Sequence, residues 1–217
     1  GEIIGNPSDT VRTRYENTIK EQAELIADLE ELKDLPCITA DDHRVHLWVN
    51  TGLIADVAHS LDQGAEGVGL FRTEVPFLLS ERFPSEQEQT DIYREQLAAF
   101  SPMPVTMRTL DIGGDKALSY FPIEEENPFL GWRGIRVTLD HPEIFTAQIR
   151  AMMRASIGLE NLQIMLPMIS NVNEVNSSMQ LIKKAHRELT QEGLEVKFPP
   201  VGVMIEVPAA VYQTRAL

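Results

Sequence analysis

Residues 104–116 read PVTMRTLDIGGDK, a mostly apolar run that ends in Arg108 and passes into a glycine turn. Residues 67–74, GVGLFRTE, follow the same plan and place Arg72 at the equivalent point. A short apolar run of this kind predicts a β-strand, and paired glycines mark the loop that follows it. The two stretches therefore predict two strands that each deliver an arginine at the carboxyl end.

Outward from these two strands, the chain alternates between strands and helices. Five strands are predicted, at residues 44–50, 67–71, 104–110, 162–168 and 201–207. Helices are predicted at residues 54–63, 85–100, 141–156 and 173–191. Several of the strands are apolar on both faces, as parallel strands covered by helices must be. This alternation is typical of an α/β fold, either an open doubly wound sheet or a closed (β/α)8 barrel.

The residues at the strand ends favour one of these two folds. The pattern G-x-G-x-x-G does not follow the first strand, so a dinucleotide-binding sheet loses its main support. Polar residues that could bind a ligand or take part in a reaction come instead just after the second, third and fifth strands. A barrel gathers such positions around one rim. We therefore predict a partial (β/α)8 barrel of the TIM type, with about five of its eight strands in these residues. The chain is expected to stop inside the helix after strand five.

Before the predicted barrel, residues 1–36 have a different character. Residues 5–7 (Gly-Asn-Pro) are turn formers, and residues 10–32 contain no Gly or Pro and carry apolar residues at helical spacing. Residues 35–36 (Leu-Pro) end this helix, because the residue before a proline is disfavoured in helical geometry. We expect residues 1–36 to be the end of another domain with a linker helix, and residues 37–217 to be the N-terminal part of the barrel.

Composition limits the classes of function. The apolar fraction is 43% and the formal net charge is −14, which fits a globular protein without general affinity for nucleic acid or anionic membranes. No stretch approaches the roughly 18 apolar residues of a membrane span, and the first residues lack the order of a signal peptide. Cys37 is the single cysteine, which excludes an internal disulfide. A cytoplasmic location is therefore expected.

Arg72 and Arg108 are the candidate anion-binding residues. A guanidinium binds phosphate or carboxylate through two parallel hydrogen bonds and keeps its charge at any useful pH. Two arginines that converge would clamp a dianion. The alternative is that each arginine pairs with a nearby acid, Glu74 or Asp111, and holds its loop in place.

Further candidate residues lie near the same predicted rim. Residues 113–114 (Gly-Gly) are either an anion-cradling nest, to which Lys116 adds a charge, or a plain turn. Glu206 ends an apolar run, so it either pairs with a rim arginine or binds a hard cation such as Mg²⁺. In the long connection after the third strand, Arg133 is expected to orient the rim groups and Trp132 to pack beneath the loop. The five histidines form no metal spacing and receive no role.

Five blocks, GLFRTE, RTLDIGGDK, NPFLGWRGIR, LPMI and MIEVPAA, occur here in this order. Together they resemble the phosphoenolpyruvate-binding domain of enzyme I of the bacterial phosphotransferase system, the phosphoenolpyruvate-protein phosphotransferase family. The likeness spans residues 37–217, and residues 1–36 resemble the end of the family's swivelling phosphohistidine domain and its linker helix. Pyruvate phosphate dikinases and phosphoenolpyruvate synthases share the barrel. The stretch RTEVPFLLSERFPSEQEQ favours the nitrogen-related branch over the sugar-transport branch.

This resemblance implies a role for each candidate residue. Arg72 and Arg108 would bind phosphoenolpyruvate, chiefly its phosphate, with Lys116 and Arg133 as supporting contacts. Glu206 would be a ligand of Mg²⁺. The implied reaction moves the phosphoryl group to a histidine of the swivelling domain, releases pyruvate, and passes the group on to a histidine phosphocarrier protein. Barrels of this family self-associate, so a homodimer is expected.

Three segments of the family pattern do not occur in residues 1–217. They are the G-G-x-x-S-H-x-A segment with the phosphoacceptor histidine, the G-T-N-D segment with a second Mg²⁺ ligand, and a late cysteine that protonates the enolate. Cys37 precedes the first strand and cannot take that cysteine's task. We therefore assign no catalytic residue within this segment and expect that it does not turn over alone. The alternatives are a binding or dimerisation module, a metal-dependent lyase, and a relative of the dikinases and synthases.

Overall fold

The computed structural model describes residues 3–30, 32–33, 35–52, 57–114, 116, 118–123, 126–127 and 131–217. Strands and helices alternate along these ranges. The strands are β1 (Val49–Thr51), β2 (Val68–Arg72), β3 (Val105–Arg108), β4 (Leu162–Leu166) and β5 (Val201–Val203). The helices are α1 (Asp9–Glu30), α2 (Val57–Asp62), α3 (Glu74–Leu78), α4 (Glu86–Phe100), α5 (Ile135–Asp140), α6 (Pro142–Ser156), α7 (Val172–Gln191) and α8 (Pro208–Gln213).

The strands form one sheet in the order β1-β2-β3-β4-β5, and every neighbouring pair is parallel. Parallel strands that lie side by side in chain order, with helices between them, are arranged as in a (β/α)8 barrel, whereas a doubly wound sheet reverses its order part-way. This confirms the predicted fold class, a partial TIM-type barrel. Because all the strands run the same way, their carboxyl ends lie along one edge, which we call the rim together with the residues that follow each strand.

Helices α4, α6 and α7 pack with the sheet to form the main hydrophobic core. Its buried apolar side chains include Tyr93, Leu97 and Phe100 of α4, Phe145, Ile149 and Met152 of α6, Ile182, Ala185 and Leu189 of α7, and Phe71, Met107 and Ile164 of the strands. A parallel sheet is stable when helices remove its apolar side chains from water. The helical layer therefore holds the strands in the register that sets the geometry of the rim.

Capping boxes explain where α4 and α7 begin. Ser85 Oγ accepts a hydrogen bond from the Glu88 N–H, and the Glu88 carboxylate accepts one from the Ser85 N–H. Asn171 and Glu174 form the same pair of hydrogen bonds at the start of α7. Each box satisfies two backbone donors that the first turn of a helix leaves without partners.

The first predicted strand is shorter than expected. Of residues 44–50, only the last two belong to β1, which runs through Val49–Thr51. Before β1, the Val45 N–H donates to the Cys37 carbonyl and the Leu47 N–H to the Glu66 carboxylate. The backbone donors of this stretch therefore bond outside the parallel ladder that the prediction had placed here.

Other boundaries also differ from the prediction. The strand predicted at residues 201–207 covers only Val201–Val203, so Glu206 lies in the loop behind it. Helices α3 and α5 contain five and six residues, too few for a periodic pattern to predict. The helix predicted at residues 54–63 is observed as α2, while residues 53–56 lie outside the described residues.

Helix α1 confirms the long helix predicted for residues 10–32, and none of its residues is buried. An exposed helix of this length fits a connector, although the division into residues 1–36 and 37–217 stays a prediction. Among the described residues, the helices are all too short or too polar to cross a membrane.

Replacing Leu97 with alanine tests the packing of α4 in the core. Leu97 is 0% exposed, and a buried Leu→Ala change lowers the free energy of unfolding by about 2–5 kcal/mol through lost burial and a residual cavity. Leu25 of α1 is 58% exposed and gives the matched control, for which we expect a loss below about 0.5 kcal/mol. Urea unfolding measures both values, and equal losses would contradict this packing.

Candidate functional site

Strands β2 and β3 end side by side at the rim, where Arg72 and Arg108 are Cα partners in the sheet register. Arg72 is exposed and makes no hydrogen bond or ion pair within the described part of the chain. Arg108 is 6% exposed, and its Nη2 lies 2.7 Å from Glu74 Oε1 while its Nη1 lies 3.1 Å from Asp111 Oδ2. Pairing with a nearby acid therefore describes Arg108 but not Arg72.

Two buried carboxylates, those of Glu74 and Asp111, are shared by three cations. Lys116 Nζ lies 2.8 Å from Glu74 Oε1 and 3.2 Å from Asp111 Oδ2. Arg133 donates to both oxygens of Asp111, from Nε at 3.0 Å and from Nη2 at 3.2 Å. With Arg108 these residues form what we call the ion cluster, in which, counting described residues only, three cations meet two carboxylates. The structure thus places Arg108, Lys116 and Arg133 together, next to the strand end that carries Arg72.

Asp111 is held in its ionised form by these neighbours. Burial by itself would raise the pKa of Asp111, but the hydrogen bond from Arg133 and the charges of Arg108 and Lys116 outweigh burial and lower the pKa below its ordinary value. A buried carboxylate without such partners would be protonated or would destabilise the fold. The ion cluster is therefore a set of groups that depend on one another.

Two glycines allow the loop before α5 to approach the segments that follow β3 and β4. Gly113 has a φ of +115°, and a Cβ at this position would lie 2.9 Å from the Trp132 carbonyl oxygen. Gly134 has a φ of +57°, and a Cβ there would lie 2.9 Å from Met168 Cγ. Only glycine tolerates both the positive φ and the close contact. Arg133 lies between these two contact points along the chain and so reaches the ion cluster.

The glycine pair after β3 is closed by its own hydrogen bonds. The Gly113 N–H donates to the Lys116 carbonyl at 3.2 Å, and the Lys116 N–H donates to the Gly113 carbonyl at 3.1 Å. The Gly113 amide is thus used inside the turn, as the plain-turn interpretation requires. What the turn contributes to the rim is the position of the Lys116 side chain.

Glu206 lies on the same rim, beyond the end of β5. Its Oε1 accepts a hydrogen bond from the Met168 N–H at 2.7 Å, its side chain is exposed, and it forms no ion pair among the described residues. The sulfur of Met204, two residues earlier, lies 3.9 Å from Arg108 Nη1, so this chain segment borders the ion cluster. Within the described ranges, no group of three or more His, Cys, Asp or Glu side chains could hold a metal ion. Glu206 therefore offers one carboxylate oxygen that other ligands would have to complement.

The family model described as PEP-utilising enzyme, PEP-binding domain, matches residues 26–217. The chain belongs to this family. A barrel whose rim carries a cluster of arginines is an arrangement that suits a domain for binding a phosphorylated acid.

Curated relatives of this PEP-binding domain match nearly the whole chain. A protein of Escherichia coli (strain K12) named "Phosphoenolpyruvate-dependent phosphotransferase system" is 44% identical over 213 residues, which is 98% of the chain and 28% of the relative. A "Phosphoenolpyruvate-protein phosphotransferase" of Staphylococcus carnosus is 41% identical over 215 residues, 96% of the chain and 37% of the relative. One of Haemophilus influenzae is 45% identical over 193 residues, 88% of the chain and 33% of the relative. The chain thus spans about a third of the length of these relatives.

The sequence does not reveal the contacts that two residues, Glu74 and Gln148, make at or behind the rim. Glu74 enters the sequence interpretation only as an alternative partner of an arginine, yet its Oε1 joins Arg108 to Lys116. Gln148 lies in the middle of α6, where a glutamine fits any polar position of a helix. Its side chain contacts the ends of both arginine-bearing strands. Only the packing of α6 against the sheet reveals this contact.

The expectation that Trp132 packs beneath its loop is confirmed. Its ring lies against those of Phe121 and His141, with centroid distances of 6.0 and 5.7 Å. The indole Nε1 donates to Asp140 Oδ2 at 2.6 Å. The side chain therefore holds the loop that carries Arg133.

Replacing Asp111 with asparagine should destabilise the fold strongly. The change leaves the buried cations with one negative partner fewer, and removal of one partner from a buried ion pair costs about 3–5 kcal/mol. Asp91→Asn, on the exposed side of α4, is the control, with an expected change within about 0.5 kcal/mol. Urea unfolding at neutral pH measures the difference, and a loss below about 1 kcal/mol for Asp111→Asn would contradict the ion cluster as described.

The difference in unfolding free energy between the wild type and Asp111→Asn should depend on pH. The folded-state pKa of Asp111 lies below its ordinary value of 3.8, so the stability that its ionised form contributes is complete well above pH 3.8 and is lost as the pH falls below it. The difference in unfolding free energy between the wild type and Asp111→Asn should therefore shrink on acidification. A difference that grew at low pH would contradict this linkage.

Proposed function

We propose that this chain is the phosphoenolpyruvate-binding part of a phosphoenolpyruvate-protein phosphotransferase. The reaction moves the phosphoryl group of phosphoenolpyruvate to a protein histidine and then to a histidine phosphocarrier protein, with release of pyruvate. The observation that carries this proposal is the pair of arginines in register, one of them exposed with no partner among the described residues and the other held by buried acids. The family and the names of the curated relatives support it.

Arg72 is the residue that we propose as the first contact of the substrate phosphate. Its guanidinium makes no ion pair with the described residues, so its fork of N–H donors can take two oxygens of one phosphate. The ion cluster beside it adds positive charge in a chain whose net charge is −14. A dianion is therefore attracted to this part of the rim and repelled by most of the remaining surface.

Arg108, Lys116 and Arg133 are proposed to act from fixed positions. Both Nη atoms of Arg108 are held by acids, so its charge would act on the ligand from one fixed position. Lys116 is 24% exposed in its side chain and can present its ammonium group to the ligand. Phosphoryl transfer depends mainly on positioned charges that need not reorganise during the reaction. The ion cluster meets that requirement.

Glu206 is the proposed ligand of Mg²⁺. Its donor set fits this ion, because Mg²⁺ is usually held by one or two carboxylates, with phosphate oxygens of the substrate and water completing the shell. When bound, the ion would neutralise charge on the phosphate oxygens. The hydrogen bond from the Met168 N–H to Glu206 Oε1 orients the carboxylate for this role.

The acceptor histidine, the phosphocarrier protein and a homodimer are proposed from the family resemblance. The nitrogen-related branch is favoured by residues 72–89, RTEVPFLLSERFPSEQEQ. A binding module without catalysis remains the alternative, and it predicts phosphoenolpyruvate binding without transfer to any protein. Rapid mixing of the natural polypeptide with labelled phosphoenolpyruvate and a histidine phosphocarrier protein separates the two, because only the transferase labels the carrier.

Changing Arg72 to alanine should weaken the binding of phosphoenolpyruvate by about 10-fold to 100-fold. Hydrogen bonds to a charged group contribute about 1.5–3 kcal/mol, and about 1.4 kcal/mol corresponds to a factor of ten. Arg72→Lys keeps the charge but loses the paired N–H donors of the guanidinium. Its affinity should therefore lie between those of the wild type and Arg72→Ala. Calorimetric titration of the natural polypeptide that carries these residues, with phosphoenolpyruvate and Mg²⁺, measures each affinity.

Arg187→Ala provides the control for Arg72. Arg187 is exposed on α7 and makes no ion pair among the described residues. Its replacement by alanine therefore also removes one positive charge, but at a position outside the rim. Its affinity for phosphoenolpyruvate should equal that of the wild type. An Arg72→Ala protein with the affinity of this control would refute the proposed phosphate contact.

Glu206→Gln should raise the Mg²⁺ concentration needed for half-maximal transfer by about tenfold or more, because an amide oxygen is a weaker ligand of Mg²⁺ than a carboxylate. Glu195→Gln, at an exposed position without an ion pair in the described ranges, should leave this concentration unchanged. Initial rates over a Mg²⁺ series measure both. Identical Mg²⁺ curves for the two variants would remove Glu206 from the metal site.

A further inference from the structure

Gln148 of α6 lies behind the ends of β2 and β3, with a side chain that is 0% exposed. Its Oε1 accepts a hydrogen bond from the Leu110 N–H at 2.8 Å, and its Nε2 donates to Thr73 Oγ1 at 3.1 Å and to the Tyr93 hydroxyl at 3.0 Å. A carboxamide offers two donors and an acceptor, and all three functions are used here. A buried amide destabilises a core unless it is bonded in this way.

These hydrogen bonds join the two chain segments that carry the arginines. Thr73 directly follows Arg72, and Leu110 lies two residues after Arg108. Thr73 Oγ1 also donates to the carbonyl oxygen of Arg108 at 2.7 Å. Gln148 thus contacts the residue next to one arginine and, through Thr73, the backbone of the other. Gln148 thus links the two strand ends from behind, in addition to the pairing of β2 with β3.

Helix α4 anchors the same network from the other side. The Tyr93 hydroxyl donates to Gln89 Oε1 at 3.2 Å, and Gln89 Nε2 donates to the Pro84 carbonyl at 2.9 Å. Burial raises the pKa of Tyr93 above its ordinary value, so its hydroxyl keeps its proton and remains a donor. A chain of buried hydrogen bonds therefore runs from the start of α4 through Gln148 to the rim. Such networks fix one arrangement of the groups that they connect.

The backbone at the end of β3 shows why a side chain is needed at this point. The Thr109 N–H donates to the Met165 carbonyl of β4 at 2.9 Å, and the next N–H, that of Leu110, donates to Gln148. The chain turns away from the sheet here toward the ion cluster. Gln148 satisfies the first amide that leaves the sheet, and it thereby sets where the loop that carries Asp111 and Lys116 begins.

We propose that Gln148 is a positioning residue for phosphoenolpyruvate, acting through Thr73 and Leu110 on the relative placement of Arg72 and Arg108. This inference rests on the proposed function. Two arginines bind one phosphate in concert only when their guanidinium groups are correctly spaced, and small displacements of binding groups lower catalytic efficiency steeply. Gln148 is fully buried and its hydrogen-bond partners are Leu110, Thr73 and Tyr93, so its proposed effect is indirect.

The test replaces Gln148 with methionine, which has a similar length and shape but neither the donors nor the acceptor. In the natural polypeptide, assayed well below its melting temperature, Gln148→Met should raise the KM for phosphoenolpyruvate on the order of tenfold. The matched control is Gln96→Met on α4. Gln96 is also 0% exposed, but neither of its polar side-chain atoms has a partner within the described residues. Its replacement should leave KM unchanged.

A second variant separates positioning from stability. Thr73→Val keeps the shape of the side chain and removes the hydroxyl that links Gln148 to the Arg108 carbonyl. If both residues act along one path, Thr73→Val also raises KM, and the double variant raises it by less than the product of the single effects. This variant carries the test if Gln148→Met fails to fold.

Each outcome bears on one of the two proposals. Variants with lowered melting temperatures but a wild-type KM would overturn the positioning role and leave the phosphotransfer proposal intact. A wild-type polypeptide that does not bind phosphoenolpyruvate would overturn the proposed function, and with it this inference. A raised KM in Gln148→Met and Thr73→Val, with Gln96→Met unchanged, supports the positioning role.

Discussion

The sharing of two buried carboxylates among three cations is the constraint on which the rim depends. Glu74 and Asp111 are almost fully removed from water, and an ionised carboxylate in such a place destabilises a protein by several kcal/mol unless cations and hydrogen bonds compensate it. Arg108, Lys116 and Arg133 supply that compensation from three different points of the chain. Since each carboxylate needs its cations and each cation its carboxylate, the loops that carry them have one stable arrangement.

This ion cluster is possible only because of the sheet beneath it. Parallel strands bring their carboxyl ends to one edge. Arg72 and Arg108 are Cα partners in the register of β2 and β3, so they lie side by side at this edge. The loop that follows β3 then returns over this edge, where Gly113 and Gly134 permit a contact that any side chain would obstruct. Buried hydrogen bonds from α6 hold the same strand ends from behind. Helical packing, strand register and charge pairing thus act on the same few residues.

The contrast between the two arginines connects stability with function. Arg108 forms ion pairs within the ion cluster, and these hold its guanidinium group in place. Arg72 is exposed and has no ion pair among the described residues. The rim thus carries one exposed arginine beside a second that buried acids hold in place. In a chain with a net charge of −14, grouped cations of this kind are the feature on which the proposed binding of an anionic ligand rests.

The alternation of apolar runs and helical patterns in the sequence determined the α/β class, and the residues at the strand ends pointed to a barrel and to Arg72, Arg108 and Glu206. The connection after the third strand pointed to Lys116 and Arg133. These signals are local, because strand and helix periodicities depend on neighbours along the chain. The bounds of the first strand, predicted at residues 44–50 and observed at Val49–Thr51, were wrong because long-range hydrogen bonds decide them. The brief helices α3 and α5 escaped prediction because so few residues leave no periodic pattern.

Which arginine pairs with an acid was decided only in three dimensions. Both Arg72 and Arg108 are followed by an acid within three residues, so the sequence left the two equivalent. Tertiary structure separated them, because the desolvation of Glu74 and Asp111 depends on the loops and helices packed around them, and these come from distant parts of the chain. The position of Gln148 was decided in the same way. Nothing local marks a helical glutamine, and only the packing of α6 against two strand ends gives it its hydrogen-bond partners.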